Sequence, residues 1–85
     1  MRLLFAKPFR KEYAILPSVI CRSAEEKLKL LLEDFRHPSL RAKKMEGYLG
    51  IWEGRITKNY RFTFQVTKDA YIIRHIGTHN ILRRP

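Results

Sequence analysis

Three runs of strand-forming residues in the second half of the chain are separated by connections of only two residues. The runs extend over 48–57, 60–67 and 70–76, and they are rich in aromatic and β-branched residues. Lys58-Asn59 and Lys68-Asp69 form the connections. Because connections this short join neighbouring antiparallel strands, the pattern predicts two successive β-hairpins.

The middle run alternates between apolar and polar residues, so its two faces differ in character. One face carries Tyr60, Phe62, Phe64 and Val66, and the other carries Arg61, Thr63 and Gln65. The preceding run agrees, because it alternates Trp52 and Ile56 with Glu53, Arg55 and Thr57. We therefore expect an apolar face covered by helices and a polar face open to solvent.

The last run does not alternate cleanly. Ile72 and Ile76 share the parity of Arg74, whereas Tyr71 and Ile73 share the parity of His75. Parity alone therefore does not assign the two faces of this strand.

Helical spacing replaces alternation in the first half of the chain. A short strand at 3–6 is followed by Pro8, which suits the first turn of a helix, and then by Phe9, Tyr13 and Leu16 at helical intervals. The next helix has an apolar stripe made of Ile20, Ala24, Leu28, Leu31, Leu32 and Phe35. It begins either near Pro17 or at Ser23, which could open a capping box, and it ends at 37–39.

The order of elements, β-α-α-β-β-β, predicts a two-layer α+β fold. Two N-terminal helices should pack on a small, mainly antiparallel sheet. The 85 residues are enough for one domain, which we expect to extend over 1–85. No run approaches the ~20 apolar residues of a membrane span, and Lys7-Pro8 interrupts the first apolar run. We therefore expect a cytoplasmic protein without a membrane partner.

Charge indicates the class of partner. Eighteen Lys and Arg against eight Asp and Glu give a formal net charge of +10. Such an excess favours a polyanion, either nucleic acid or an acidic protein. The segment 37–49 adds Arg41, Lys43 and Lys44 next to a sheet edge, so it is either a phosphate-contacting lip or simply a solvated face.

The predicted polar face suits the cleavage of RNA. Metal-free cleavage needs a base for the ribose 2′-OH, an acid for the leaving 5′-oxygen and cations around the phosphorus. Arg55 and Arg61 offer forks of donors to phosphate oxygens. Gly77 permits a bend that would bring His79 over the same face, and histidine suits either proton transfer.

Each of these residues also has a structural interpretation. The two arginines could be ordinary sheet residues, His79 a surface residue, and Glu53 either a base or the ion-pair partner of a neighbouring cation. Trp52 is better explained as core than as a platform for a base, and His75 as structural. No metal-ligand spacing and no glycine-rich phosphate loop is present in the sequence, so we expect neither a metal nor a cofactor.

Several short motifs together resemble one family. They are His37-Pro38-Ser39-Leu40-Arg41, Lys44-Met45-Glu46-Gly47, Gly50-Ile51-Trp52-Glu53, Arg55-Ile56-Thr57, Tyr60-Arg61-Phe62 and Gly77-Thr78-His79. In this order and spacing the chain resembles the RelE/ParE toxin superfamily, most closely RelE-like members similar to YoeB and YafQ. The resemblance covers essentially the whole chain.

The resemblance implies the toxin of a type II toxin–antitoxin pair. Such toxins enter the ribosomal A site and cut mRNA there by 2′-OH attack, without metal. Arg55 and Arg61 match the arginines that hold the scissile phosphate, His79 matches a general acid, and His37 matches a catalytic-loop histidine. The partners would be mRNA, 16S rRNA and an acidic antitoxin.

The identity of the general base stays open at this level. It is Glu46, Glu53 or His37, since the family varies at this role. The expected RNA-binding residues are Arg41, Lys43, Lys44, Lys58, Arg83 and Arg84. The alternatives to a nuclease are a ParE-like inhibitor of DNA gyrase without enzymatic activity, and an inactive RNA- or ribosome-binding module.

Overall fold

Both predicted hairpins form, and they make up the middle of a five-stranded sheet. A computed structural model describes all residues from Met1 to Pro85. The elements in chain order are β1 (Arg2–Phe5), α1 (Lys7–Ala14), α2 (Ser18–Glu33), β2 (Lys43–Lys44), β3 (Ile51–Arg55), β4 (Tyr60–Val66) and β5 (Ala70–Thr78). Short 3-10 helices follow α2 at Pro38–Leu40 and β5 at His79–Arg83. The predicted α+β fold is confirmed.

The sheet has the spatial order β1-β5-β4-β3-β2. β1 lies parallel to β5 at one edge, and every other pair of neighbours is antiparallel. β2 was not predicted, because two residues are too few to show a period. The run predicted at 48–57 is shorter in the structure, since Gly47 and Gly50 adopt positive φ angles of 82° and 77° in the loop before β3.

α1 lies close to its predicted position, whereas α2 ends at Glu33, before the predicted end at 37–39. α2 begins at Ser18, directly after Pro17, so Ser23 lies inside the helix and does not cap it. Ala24, Leu28 and Leu31 are buried, but Leu32 is 41% exposed. The prediction for Leu32 was wrong because one residue advances a helix by about 100°, which takes Leu32 away from the sheet. Neither helix has the length and apolar character that a membrane crossing requires.

The core lies between the helices and the inner face of the sheet. Phe62 and Phe64 of β4 are fully buried, and their ring centroids are 5.3 Å apart. Gly54 of β3 lies opposite Phe62, where a Cβ atom would come within 2.4 Å of the phenyl ring. Only glycine fits at this position without displacing that ring.

A β-bulge in β5 explains its ambiguous parity. Thr63 pairs with His75 and Phe64 pairs with Ile73, so Arg74 is an extra residue between two ladder positions. The extra residue allows Ile73 and Ile76, three positions apart, both to be buried. The change of parity in the sequence is therefore the signature of the bulge.

A carboxylate joins α1 to the edge of β5. β1 pairs with β5 only as far as Ile73, which leaves the following edge of β5 without a strand partner. Glu12 of α1 accepts a hydrogen bond from the backbone N–H of Ile76 through Oε1, at 3.1 Å. Its Oε2 lies 3.0 Å from Nδ1 of His75. This contact gives His75 a structural partner that the sequence did not reveal.

Candidate functional site

Three arginines lie close together at the β2 edge of the sheet, and we call them the arginine row. Arg55 of β3 is directly opposite Arg61 of β4. Lys43 of β2 is opposite Glu53, and Arg41 lies two residues before Lys43 in the turn that leads into β2. Together with Gly54, these five residues line a depression of about 230 Å³, which we call the arginine depression. Four of its side chains are cationic and one is acidic, so it suits an anion.

The guanidinium of Arg61 is held in place by the β3–β4 turn. Its Nη1 donates to the carbonyl oxygens of Thr57, Lys58 and Tyr60, at 2.8, 3.0 and 3.2 Å. These bonds engage only one of the three guanidinium nitrogens, so the donors on Nε and Nη2 are not used by the turn. Arg61 is therefore a positioned cation with donors available to a ligand.

Glu53 forms the ion pair that was one of its two predicted roles. Its Oε1 lies 3.6 Å from Nζ of Lys43, and the side chain of Glu53 is 14% exposed whereas that of Lys43 is 71% exposed. An ion pair with so exposed a partner contributes only about 0–1 kcal/mol. Lys43 can therefore exchange the carboxylate for a phosphate at little cost, which would leave the Glu53 carboxylate free.

His79 is exposed at the end of β5, next to the arginine row but outside the arginine depression. Gly77 pairs with Arg61 and Thr78 pairs with Tyr60, so His79 leaves the strand two positions beyond the partner of Arg61. The imidazole lines a separate, wider depression of about 610 Å³ that also includes Lys58 in the β3–β4 turn.

The role predicted for Gly77 was wrong. Gly77 stays within β5, and the strand ends one residue later at Thr78. A Cβ atom on Gly77 would lie 2.9 Å from Cγ2 of Ile81. Glycine is therefore needed there because the 3-10 helix after the strand packs back on β5, and not because the chain bends at this residue.

The two other predicted bases lie outside the arginine depression. His37 caps the 3-10 helix Pro38–Leu40, and its Nδ1 accepts from the backbone N–H of Ser39 at 3.2 Å. Nδ1 also lies 2.9 Å from Oγ of the same serine. In a neutral imidazole the proton is then on Nε2, which is a donor and not a base. Glu46 is exposed in the loop before β3 and lines none of the depressions.

The outer face of the sheet is not uniformly open, contrary to the prediction. Thr63 is fully buried, and its Oγ1 donates to the carbonyl oxygen of Pro85 at 3.1 Å. Nε of Arg74 donates to the same oxygen at 2.8 Å, and its Nη1 donates to Oε1 of Gln65 at 3.1 Å. Segment 79–85 therefore covers the middle of this face and leaves the β2 side open.

The predicted RNA-binding residues fall into four groups. Arg41 and Lys43 belong to the arginine depression, and Lys58 lies beside His79. Nζ of Lys44 lies 5.7 Å from the centroid of the Trp52 ring. Arg83 and Arg84 are exposed and line a different depression of about 490 Å³ with Arg74 and His75. Sequence reasoning missed Arg74, because the bulge hid its face.

Comparison with known proteins relates the fold to a group of toxins. No protein-family model and no curated protein matches the sequence. The YoeB/ParE toxin from Agrobacterium tumefaciens matches with a TM-score of 0.81 at 15% identity, over 93% of this chain and 99% of that one. YafQ from E. coli matches with a TM-score of 0.78 at 10% identity, over 94% of both chains.

An archaeal structure gives the same result. The RelB–RelE antitoxin–toxin complex from Methanococcus jannaschii matches with a TM-score of 0.73 at 24% identity, over 95% of both chains. At these identities the likeness is one of fold. The predicted resemblance to RelE-like toxins is therefore confirmed at the level of the fold.

Proposed function

We propose that this protein is the toxin of a type II toxin–antitoxin pair and cleaves mRNA in the ribosomal A site without a metal. The row of Arg41, Arg55 and Arg61 in one open depression carries this proposal. The fold supports it, because the solved structures that share it are toxins. One of these structures, that of RelB–RelE, is an antitoxin–toxin complex, which supports an acidic antitoxin as the partner of this basic chain.

The arginine row would hold the scissile phosphate. Arg55 and Arg61 donate to its non-bridging oxygens and stabilise the negative charge that develops on the pentacoordinate phosphorus. Because the turn carbonyls already fix Arg61, little reorganisation is needed when this charge develops. A positioned donor of this kind contributes roughly 10²–10³ in rate.

Glu53 is our choice for the general base. Of Glu46, Glu53 and His37 it alone lies in the arginine depression. Glu53 takes the proton of the ribose 2′-OH, and the 2′-oxygen then forms a bond to phosphorus. The bond between phosphorus and the 5′-oxygen breaks, and the imidazolium of His79 protonates that oxygen. The products are a 2′,3′-cyclic phosphate and a 5′-hydroxyl, without any added co-reactant.

The position of His79 requires a particular path for the RNA. The strand must run from the arginine depression across the β3–β4 turn to His79, and Lys58 lies along this path as a phosphate contact. Arg41 and Lys43 would bind the strand on the other side. Arg83 and Arg84 lie apart, so they would contact ribosomal RNA and not the strand that is cut.

The experiment is expression of the chain in bacteria, followed by mapping of mRNA ends by primer extension. We expect cuts in phase with codons, and a decrease of roughly 10²–10⁴-fold for His79→Gln, because an exposed general acid is removed without a change in packing. Arg55→Ala should have a comparable effect. The control is Arg22→Ala, which removes the same charge from an exposed site on α2 and should still cut.

One observation favours a second candidate, an RNA- or ribosome-binding module without cleavage. His79 does not line the depression that holds the arginines. Salt-dependent binding to ribosomes with intact mRNA would identify this function and overturn the nuclease. Growth arrest with a DNA-damage response that persists in His79→Gln would instead identify a ParE-like gyrase inhibitor.

A further inference from the structure

A fourth depression adjoins the arginine depression along the β2 edge of the sheet. Its volume is about 260 Å³, and its lining includes Phe35, Arg36, His37, Arg41 and Trp52. Arg41 lines both depressions, so they are neighbours at this edge. We call it the Trp52 depression. It contains no acidic residue, and neither the proposed cleavage nor the fold requires it to be open.

The aromatic part of the Trp52 depression is rigid. The Trp52 ring packs edge-on against Phe35 at a centroid distance of 4.9 Å, and it stacks on Phe64 at 6.2 Å. Since Phe64 is fully buried, the orientation of the indole is fixed by the core. The guanidinium carbon of Arg36 lies 5.7 Å from the centroid of the Phe35 ring. Phe64 and Nζ of Lys44 already lie against the Trp52 ring, so the exposed guanidinium of Arg36 is the flat group on which an unpaired base would stack.

The polar part of the depression presents a directed donor. Because Ser39 occupies Nδ1 of His37, the neutral ring carries its proton on Nε2. The side chain of His37 is half-buried, and the cap on the 3-10 helix fixes its ring. A fixed N–H donor beside aromatic rings complements the carbonyl oxygen or the ring nitrogen of a nucleobase.

Arg41 links this donor set to the phosphate side. Its backbone is left-handed, with φ 47° and ψ 40°, a conformation that residues other than glycine seldom adopt. Its N–H donates to the carbonyl oxygen of Pro38 at 3.2 Å. The turn places the exposed Arg41 side chain at the sheet edge, with the arginine depression on one side and the Trp52 depression on the other.

We propose that the Trp52 depression binds the base of a nucleotide adjacent to the phosphate that the arginine depression holds. The ligand class is a single-stranded RNA with an unpaired base, and in this respect the inference rests on the proposed function. Phosphate contacts are independent of sequence, whereas contacts to a base edge are not. The Trp52 depression would therefore be the place where the protein discriminates among nucleotides.

Trp52 itself reports on this site, because it is the only tryptophan in the chain. The probes are a short 2′-deoxy oligonucleotide, which lacks the attacking hydroxyl and cannot be cut, and an abasic strand of the same length. Binding is measured by the anisotropy of a dye on each strand, and Trp52 fluorescence is followed in parallel. We expect the base-bearing strand to quench Trp52 and to bind roughly fivefold tighter than the abasic strand, the low end for one stacked base.

Arg36→Ala separates stacking from simple charge. It should abolish most of the preference for the base-bearing strand, while it weakens binding of the abasic strand no more than the matched control Arg22→Ala does. Both residues are exposed on or just after α2, so neither variant should affect folding.

Equal affinity and equal quenching for the two strands would overturn the inference, as would the absence of binding by either strand at low salt. Phased mRNA cuts without a preference for bases would overturn this inference alone. A clear preference in a protein that never cuts mRNA would leave the base site in place and overturn the nuclease.

Discussion

At the scale of single residues, two side chains proposed for chemistry also hold local structure. Arg61 donates from one nitrogen to three carbonyl oxygens of a turn, and His37 caps a 3-10 helix. Loss of activity in an alanine variant of either residue would therefore mix two effects. His79 and Arg55 have no such contacts with the fold, which makes them the better test positions.

Tyr13 gives a prediction about pH at this scale. Burial, together with a hydrogen bond to Glu25, raises the pKa of Tyr13 from 10.0 to about 12. The folded protein thus holds this proton more tightly than the unfolded chain does. The resulting stabilisation is fully present below pH 10.0, the pKa of the unfolded chain, and it is lost as the pH rises through about 12.

The measurement is urea unfolding at a series of alkaline pH values. The free energy of unfolding of the wild type should fall further between pH 10.0 and about 12 than that of Tyr13→Phe, which has no proton to lose. Comparing the two proteins removes the contribution of the lysines, since both contain all of them. Parallel curves for the two proteins would show that Tyr13 is not perturbed.

At the scale of elements, the sequence predicted the strands and helices that show a periodic pattern of apolar residues. Alternation and short connections gave β3, β4 and β5, and helical spacing gave α1 and α2. The two-residue β2 exists only because it pairs with β3, and the cover over Thr63 exists only because Pro85 returns to the sheet. Such contacts join distant parts of the chain and leave no periodic trace.

The same reason limits what could be predicted of the site. Glu53, Arg55 and Arg61 were assigned to one surface because strand parity fixes their side, and all three line one depression. Arg41 joins them because the left-handed turn after the 3-10 helix Pro38–Leu40 brings it to the sheet edge, which no periodic pattern in the sequence reveals. The placement of His79 in a neighbouring depression depends on how segment 79–83 folds after β5.

Glu12 allows a test of how α1 is attached to the sheet. Its carboxylate accepts from the backbone N–H of Ile76 and contacts His75, at an edge where β5 has no strand partner. We expect Glu12→Ala to lower the free energy of unfolding by about 1–2 kcal/mol, because partial exposure reduces the effect of a charged hydrogen bond.

Thermal or urea unfolding measures this change. Glu26→Ala is the matched control, since it removes the same charge from an exposed helical position and should change stability by less than about 0.5 kcal/mol. Equal effects of the two variants would mean that the contact between α1 and β5 contributes nothing.

At the scale of the whole molecule, the net charge is +10, and four of the cationic side chains meet in the arginine depression. Segment 79–85 covers the middle of the outer face, so under the proposed function the strand that is cut would approach at the β2 edge and at the β3–β4 turn. The total charge sets the strength of non-specific attraction, and the open part of the face determines which cations touch the ligand.

Salt dependence distinguishes these two contributions. For single strands the logarithm of the association constant falls with the logarithm of salt concentration by roughly 0.7 for each phosphate neutralised. Arg55→Ala should reduce this slope by about 0.7, because it removes one direct contact. Arg22→Ala should leave the slope nearly unchanged, since it alters only the total charge. A similar change in both variants would argue against a localised binding surface.

The bulge in β5 lets one strand both pair with β4 and hold the carboxyl-terminal segment through Arg74. Arg74 is surplus to the ladder, because Thr63 pairs with the residue after it and Phe64 with the residue before it. A β5 that lacked this residue would retain its pairing with β4 and its buried isoleucines, yet Pro85 would keep only the hydrogen bond from Thr63. The attachment of the carboxyl-terminal segment therefore depends partly on a residue that the sheet itself does not need.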